Sequence, residues 1–245
     1  MIVMPMAGLS SRFTKAGYTL PKYMLKAFDK PLFDYAVESF QAYFQQEDFL
    51  FICRDIHDTE TFIKARCSAL GIKSYQISTL TAPTEGQAET VALGLKQAQT
   101  SDTAITVFNI DTFRRNFTFP SFIEECDGYL EVFEGTGSNW SYAKPESDKS
   151  NRVIETAEKN PISNLCSTGL YHFKKASDFL AAFEEAMSNK GGLVNNEYYI
   201  APLYNTLIKK GLDIRYDLVP FEDITFCGVP EEYDAFLSSA PQSSN

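Results

Sequence analysis

The chain opens with IVMPMAGLSSRF, residues 2–13. Its apolar first half predicts a short buried strand, closed by the small residues Ala7-Gly8. In an open α/β sheet, ligands bind at the carboxyl ends of the strands, where a turn of small residues lets backbone N–H groups approach an anion. The hydroxyls of Ser10 and Ser11 add donors, and Arg12 offers a planar fork that suits phosphate. This stretch therefore predicts the first strand of an α/β sheet, with an anion site at its end.

Outward from this stretch, helix and strand signals alternate as far as residue 111. Amphipathic spacing and terminal signals predict helices at residues 31–46, 58–70 and 87–99. Apolar runs predict strands at residues 49–53, 72–77 and 104–110. Because such alternation is typical of a parallel sheet covered by helices on both faces, we predict a doubly wound, mostly parallel α/β fold.

Beyond residue 111 the pattern changes to strands joined by polar turns. We predict strands at residues 129–133, 140–144, 152–156, 167–173 and 212–219. Helices are predicted at residues 175–188, at 196–210 and from 230 onward. We expect these elements to add an antiparallel lobe that covers a substrate. The whole is predicted to be one domain, residues 1–237, with halves at 1–111 and 112–237, followed by a disordered polar tail at 238–245.

Composition and charge limit the classes of protein. Hydrophobic residues make up 44% of the chain and charged residues 22%, which is ordinary for a globular domain. No apolar run approaches the ~18 residues that span a bilayer, and no basic leader precedes the glycine turn, so we expect a cytoplasmic protein. The net charge of −10 argues against nucleic acid or a membrane as partner. Five scattered cysteines without a C-x-x-C pair indicate reduced thiols and no zinc site.

The charge is unevenly placed along the chain. Residues 1–30 carry five basic groups and one acidic group, a net charge of +4, so the other 215 residues sum to −14. A cationic patch on an acidic protein is what a small anionic ligand requires, although a solvated basic face would give the same count. Glycine spacing excludes two phosphate-binding loops, because neither the dinucleotide fingerprint nor the P-loop ending in Gly-Lys-Ser/Thr is present.

The opening segment resembles that of the sugar-1-phosphate nucleotidyltransferases of surface and capsular polysaccharide synthesis. The resemblance rests on MAGLSSRF at residues 6–13, Pro21-Lys22 and the KPL run at residues 30–32. It implies a Rossmann-like fold and transfer of a nucleoside monophosphate from an NTP, with release of pyrophosphate. It also implies that the loop wraps the triphosphate and that two cations contact phosphates. The nucleotide-binding residues carried over from this segment are Met6, Ala7, Gly8, Ser10, Ser11, Arg12 and Lys22. The family usually has glycine at the position of Ser10.

Later segments fit the same resemblance in the same order. TEGQAET, residues 84–90, resembles the base-recognition loop, which adds Gly86, Gln87 and Ala88 to the nucleotide site. A helix cap would also explain these residues. Asp111 ends an apolar strand, and Mg²⁺ binds one or two carboxylates plus phosphate oxygens, so Asp111 is the predicted magnesium ligand. A turn cap is its alternative role.

The acceptor site is implied by three further segments. ETAEKNP, residues 155–161, resembles the Glu-Lys-Pro segment whose glutamate holds substrate hydroxyls and whose lysine holds the substrate phosphate. The roles fall on Glu158 and Lys159, although the inserted Asn160 is a departure. STGLY, residues 167–171, resembles the family's small-residue strand beside the substrate, and NEYY, residues 196–199, resembles its later Glu-Tyr-Tyr helix. These two segments add Thr168, Gly169 and Glu197 to the predicted acceptor residues, although packing would also explain them. Lys159 joins Arg12, Lys22 and Asp111 as the predicted catalytic set.

One position departs from the family in a way that bears on the metal. FCGVPE, residues 226–231, resembles the family's Asp-x-Gly-Thr-Pro-Glu, whose aspartate is a second metal ligand. Phe226 occupies that place and cannot bind Mg²⁺, and Asp223 is the acidic residue three positions earlier. A non-catalytic relative that binds a sugar nucleotide as a sensor is therefore one possibility.

The type of reaction and the two substrates are also open. A glycosyltransferase would usually carry Asp-x-Asp, which Asp111-Thr112-Phe113 lacks, and a dehydrogenase would need a different glycine spacing. The acceptor is open between a sugar-1-phosphate and a non-sugar phosphate such as phosphocholine or a phosphorylated amide. The donor is open between CTP, UTP and dTTP, and oligomerisation is also left open.

Overall fold

The computed structural model of the chain describes residues 1–100, 102–188 and 193–239. Its strands are β1 (Ile2–Pro5), β2 (Lys26–Ala27), β3 (Lys30–Pro31), β4 (Phe49–Arg54), β5 (Tyr75–Leu80), β6 (Ile105–Phe108), β7 (Thr112–Arg114), β8 (Gly128–Glu134), β9 (Ser141–Pro145), β10 (Val153–Glu158), β11 (Leu165–Phe173), β12 (Leu193–Val194), β13 (Glu197–Tyr198), β14 (Ile214–Leu218) and β15 (Ile224–Phe226). Its α-helices are α1 (Ser11–Lys15), α2 (Leu32–Glu38), α3 (Thr59–Leu70), α4 (Gln87–Gln97), α5 (Ala176–Ser188), α6 (Tyr204–Lys209) and α7 (Pro230–Ser238).

One nine-stranded sheet runs through the described residues. On one side it is parallel, with β1 between β4 and β6, and β5 outside β4. On the other side β11 pairs antiparallel with β6, β8 and β9, while β10 pairs with β9 and β14 with β8. The mixed α/β fold predicted from the sequence is thus confirmed, and the pairing of β6 with β11 joins the two halves of the chain in a single sheet.

Side-chain alternation along the strands gives the sheet two buried faces. Because successive strand residues point to opposite faces, Val3 packs into a core with α4, α5 and α6, whereas Ile2 and Met4 pack into a second core with α2 and α3. Each face is therefore covered by helices, as the continuous apolar runs of β1, β4 and β6 predict.

The largest difference from prediction lies at residues 196–210, where a single helix was expected. β12 and β13 form a hairpin there, and a 3₁₀ turn at Ala201–Leu203 precedes the short helix α6. Asn195 and Asn196 both have positive φ, 50° and 63°, which is the backbone of a two-residue hairpin turn that asparagine accepts well. Pro202 supplies no backbone N–H, so a helix cannot run through this segment unbroken.

Smaller differences concern element lengths and the tail. The helix predicted at 31–46 ends after Glu38, and the strand predicted at 72–77 lies at Tyr75–Leu80. α7 includes Ser238, the first residue of the predicted tail, and residues 240–245 lie outside the described residues. Within the described ranges, no helix is both long and apolar enough to cross a bilayer.

Candidate active site

The loop after β1 connects the sheet to the short helix α1. Met6 and Ala7 are buried at its start, whereas Gly8 is exposed and has no described heavy atom within 4 Å of the position its Cβ would occupy. Ser10 adopts the left-handed conformation, with φ 50° and ψ 34°. Glycine accepts this conformation at little cost, so Ser10 takes the backbone shape that a glycine would favour at this position.

Two cations lie beside this loop. The Lys22 backbone N–H donates to Ser10 Oγ at 3.4 Å, so the Pro21-Lys22 segment is attached to the turn. Ser11 and Arg12 begin α1 and are exposed. The loop and its cations therefore present several hydrogen-bond donors at the end of a parallel strand, where anions bind in this class of sheet.

The ion pair of Lys22 and Asp111 is the central contact of the site. Asp111 lies in the turn between β6 and β7, and its Oδ2 accepts a hydrogen bond from Lys22 Nζ. The two side chains are 22% and 18% exposed. The backbone carbonyl of Asp111 accepts a hydrogen bond from Cys227 N at 2.8 Å, which fixes the turn from the other side. Two residues of the predicted catalytic set thus lie in contact.

Gly228 and Glu232 lie near the carboxylate of Asp111. A Cβ at Gly228 would lie 3.1 Å from Asp111 Oδ2, so glycine leaves the carboxylate room on that side. Glu232 is the other nearby carboxylate, and its Oε2 accepts the backbone N–H groups of Gly228 and Val229 at 2.7 and 3.2 Å. The charge of Asp111 is partly neutralised by the ammonium group of Lys22. In the described part of the chain, no group of three or more His, Cys, Asp or Glu side chains could hold a metal.

Phe226 and Asp223 each have partners other than Asp111. Phe226 packs among aromatic rings, with its centroid 4.9 Å from that of Trp140. The Oδ2 atom of Asp223 lies 3.4 Å from Nη1 of the buried Arg114, with which it forms an ion pair. Asp111 as the magnesium ligand stays a prediction from the sequence.

Gln87 meets the end of β6 through Asn109. Gln87 lies at the start of α4 and donates a hydrogen bond to Asn109 Oδ1. A Cβ at Gly169, where φ is +93°, would lie 2.2 Å from Asn109 Nδ2. Asn109 thus contacts a predicted nucleotide residue on one side and a predicted acceptor residue on the other. It was not predicted as a site residue, because a single amide after an apolar strand carries no distinctive spacing.

The TEGQAET loop is held against the β13 hairpin. The Tyr198 backbone N–H donates to Glu85 O at 2.7 Å, and a Cβ at Gly86 would lie 2.5 Å from Tyr198 O. Gly86 has φ 129°, so both its conformation and its close packing require glycine. Ala88, in the first turn of α4, is fully buried and packs in the core. The loop is therefore positioned by contacts with the second half of the chain.

Lys159 points to a tyrosine that was not predicted to belong to the site. Its Nζ donates to Tyr199 Oη at 2.5 Å and lies 4.6 Å from the centroid of that ring. Burial raises the pKa of Tyr199, the Glu197 carboxylate adds to the rise, and the Arg12 guanidinium opposes it. Tyr199 therefore lies within electrostatic reach of predicted residues from both halves of the site, although Glu197 itself is exposed.

Glu158 belongs to a buried hydrogen-bond network. It is 8% exposed and accepts a hydrogen bond from the hydroxyl of Ser141, whose Oγ accepts from Tyr171 Oη at 3.2 Å. Burial raises the pKa of Glu158, whereas the Ser141 hydrogen bond and the Lys159 charge lower it. Its carboxyl group is thus held in one orientation next to Lys159.

Thr168 is buried and hydrogen-bonded to a buried carboxylate. It is 1% exposed, and its hydroxyl donates to Glu131 Oε1 at 3.0 Å. Glu131 also accepts from Arg114 Nε at 3.0 Å, and burial raises the pKa of this carboxyl. The observed contacts give Thr168 a structural role beneath Gly169.

Solved structures resemble this chain over nearly its whole length. Neither a family model nor a curated protein matches the chain. Among solved structures, the nucleoside-diphosphate-sugar pyrophosphorylase from Vibrio cholerae RC9 is 55% identical, with 98% of this chain and 100% of that chain covered and a TM-score of 0.93.

Two more distant structures share the fold alone. A UDP-glucose pyrophosphorylase complexed with UDP-glucose is 19% identical, with 96% of both chains covered and a TM-score of 0.72. The inositol-1-phosphate CTP transferase from T. maritima is 12% identical, with 100% of this chain and 96% of that chain covered and a TM-score of 0.69. The 55% identity to the Vibrio cholerae pyrophosphorylase extends over nearly the whole of both chains. It shows that this chain belongs to the sugar-1-phosphate nucleotidyltransferase family of enzymes, as its opening segment indicated.

Proposed function

We propose that the protein transfers a nucleoside monophosphate from CTP, UTP or dTTP to a phosphorylated small molecule, most simply a sugar-1-phosphate, and releases pyrophosphate. The observation that carries the proposal is the contact between Lys22 and Asp111 beside the loop of Ser10. This contact joins a phosphate-binding cation and a metal-binding carboxylate at the carboxyl ends of β1 and β6. The 55% identical pyrophosphorylase supports the same class of reaction.

The donor is assigned to the first half of the chain. The backbone of residues 6–11 and the hydroxyls of Ser10 and Ser11 would hold the triphosphate, with Arg12 and Lys22 neutralising its charge. Gly86, Gln87 and Ala88 would hold the base, with Gln87 positioned by Asn109. None of these contacts separates CTP from UTP or dTTP.

Asp111 would hold Mg²⁺, because it offers a carboxylate in the turn after β6, beside the loop that would hold the triphosphate. The chemistry that such an ion would supply is positive charge beside the triphosphate. Since Phe226 replaces the family's second aspartate, the protein's own charge contribution to the phosphates rests more heavily on Arg12 and Lys22.

The acceptor is assigned to the second half. Lys159 would hold its phosphate, and Glu158, Gly169 and Glu197 would line the remainder, with Thr168 supporting Gly169 from below. A phosphate monoester has a second pKa near ~6, so it is largely a dianion at neutral pH and attacks the α-phosphorus without a general base. Histidine is accordingly not required. His172 is buried, and burial lowers its pKa to about 3.

A non-sugar acceptor is the second candidate, and one feature favours it. Trp140, Phe226 and Phe133 pack together with centroid distances of 4.9 to 5.7 Å, and the Trp140 carbonyl accepts the Lys159 backbone N–H at 2.8 Å. Aromatic rings near a phosphate-binding lysine suit an apolar or cationic group, such as that of phosphocholine. A cytoplasmic role in capsular or surface polysaccharide synthesis would follow from a sugar-1-phosphate acceptor, and not from phosphocholine.

The test is a substrate panel. The protein is incubated with Mg²⁺, each of CTP, UTP and dTTP, and sugar-1-phosphates, phosphocholine and phosphorylated amides, and pyrophosphate release is measured. Release with one sugar-1-phosphate supports the main proposal, and release with phosphocholine supports the second. Nucleotide binding without release across the panel would instead favour a sensor that does not catalyse transfer.

A further inference from the structure

Lys22 and Asp111, the residues assigned to the phosphates and to the metal, form an ion pair with each other. Lys22 is held in place by Pro21 and by its backbone hydrogen bond to Ser10, and Asp111 by its turn and by Cys227 N. Both side chains are roughly four-fifths buried, so water screens the pair less than it would at an exposed surface. The ammonium group therefore occupies the carboxylate from which Mg²⁺ binding is expected.

A divalent ion and the ammonium group compete for the charge of the same carboxylate. Mg²⁺ gives up its water reluctantly and depends on the charge of its ligands, so a carboxylate that is already neutralised is a poor site for it. Lys22 would also repel a divalent ion placed next to Asp111. The metal can gain the full charge of Asp111 only after Lys22 has moved away.

The triphosphate provides the reason for Lys22 to move. Its charge is concentrated on several oxygens, and a lysine on a flexible stem can redirect its ammonium toward them without moving its backbone. We propose that Lys22 blocks Asp111 in the free enzyme, and that nucleotide binding draws Lys22 onto the phosphates and opens Asp111 to the metal. The proposal rests on the proposed function, because it assumes that Asp111 binds the metal and Lys22 the phosphates.

A blocking lysine differs from a simple structural ion pair in one measurable respect. If the pair only stabilises the fold, removing Lys22 changes stability and leaves metal affinity alone. If Lys22 blocks the site, removing it raises metal affinity in the nucleotide-free protein. The neighbouring Glu232 cannot block Asp111 as Lys22 does, because its side chain is a carboxyl group and not a cation. Its Oε2 accepts hydrogen bonds from two backbone N–H groups.

The experiment measures Mn²⁺ binding to the nucleotide-free protein by electron paramagnetic resonance. Wild type is compared with Lys22→Met and with Lys22→Gln, a second variant in case the first does not fold, and thermal unfolding is recorded for each. We expect both variants to bind Mn²⁺ about tenfold more tightly than wild type, the scale of one nearby charge in a partly screened site. Lys15→Met is the matched control, because it removes an equal charge from the exposed end of α1.

The double variant Lys22→Met with Asp111→Asn identifies the carboxylate. We expect it to lose the gained affinity, because the gain depends on Asp111. Unchanged Mn²⁺ affinity in the Lys22 variants, an equal gain in Lys15→Met, or a gain that survives Asp111→Asn would each overturn the proposal. Failure of the proposed function would look different, since pyrophosphate release would be absent from wild type while the Mn²⁺ gain could still be measured.

Discussion

The two halves of the site are built in different ways. In the first half, the loop of Ser10 and the cations Arg12 and Lys22 lie at the ends of parallel strands, exposed or in one partly exposed ion pair. In the second half, Glu158 and Thr168 are at least nine-tenths buried, and each is bound to a fixed partner. The proposed donor side is thus open and cationic, whereas the proposed acceptor side contains buried polar groups that are hydrogen-bonded within the protein.

Each half should therefore respond to substitution in its own way. A charge in an open loop contributes mainly when the ligand is present, so its loss should affect turnover and leave the fold intact. A buried polar group contributes to both the fold and the site, because an unpaired partner costs stability. Substitutions that separate activity from stability test the comparison directly.

The largest effect is expected on the donor side. We expect Lys22→Ala or Asp111→Ala to lower turnover by roughly two to three orders of magnitude, the scale of losing one transition-state charge contact. Steady-state rates of pyrophosphate release measure this, with thermal unfolding recorded in parallel. Lys15→Ala, which removes an exposed cation from α1, is the control and should retain most of the activity. Near-normal turnover in either variant would remove that residue from the mechanism.

A pair of glycines gives the next contrast. Gly169→Ala should destabilise the protein by roughly 2–4 kcal/mol, because φ is +93° and the new Cβ would overlap Asn109. Gly8→Ala should change stability by less than about 1 kcal/mol, since the space around Gly8 is empty of described atoms, and should instead raise the KM for NTP. Urea unfolding and steady-state kinetics measure the two quantities. If Gly8→Ala unfolds the protein, the loop is needed for the fold. If it leaves the NTP KM unchanged, the backbone at Gly8 does not contact the nucleotide.

The same contrast explains which parts of the fold the sequence predicts. The buried parallel strands are nearly continuous apolar runs, so β1, β4 and β6 stand out, and Gly71 correctly ends α3 with φ 74°. The β12–β13 hairpin was missed because apolar residues around Asn195 and Asn196 also fit a helical period. The two asparagines and Pro202 were the local signals that favoured the observed structure.

Site residues divide in a similar way. Lys22 and Asp111 lie in recognisable motifs, but their contact spans 89 positions and depends on β1 and β6 being neighbours in the sheet. Tyr199 and Asn109 lie in segments that resemble the family, and Ser141 does not, but none of the three was predicted as a site residue. Each is identified by the partner that it contacts. Side-chain networks of this kind depend on tertiary packing, which residue spacing alone does not encode.

Tyr199 offers a smaller test within the acceptor half. We expect Tyr199→Phe to raise the acceptor KM about tenfold, the scale of a lost hydrogen bond to a charged group, and to change the NTP KM much less. Tyr198→Phe is the control, because this neighbouring ring packs on Phe183, 5.5 Å away between centroids. The acceptor is the one that the substrate panel identifies. Adding Tyr199→Phe to Lys159→Ala should have no further effect if Tyr199 acts by positioning Lys159, and an additive loss would contradict that role.

The smallest effect concerns pH and stability in the buried network. Burial raises the pKa of Glu158 above its ordinary value of 4.5, so folding favours the protonated carboxyl. The stability gained from this group is complete below the ordinary pKa and declines as pH rises through the raised value. Glu158→Gln is neutral at every pH, so its melting temperature minus that of wild type should become more positive between pH ~4.5 and neutrality.

Calorimetry across that pH range measures the difference, with about 1 kcal/mol appearing as ~2–4 °C in a chain of this size. Glu155→Gln on the same strand is the matched control, because Glu155 is about half exposed and pairs with Lys144 at 3.4 Å in solvent. Its melting difference from wild type should vary much less with pH. A Glu158→Gln difference that stays constant with pH would mean that the carboxyl is ionised as easily in the fold as in the unfolded chain. The acceptor half would then be as open to water at Glu158 as the donor half is at Arg12, and the contrast between the two halves would not extend to this group.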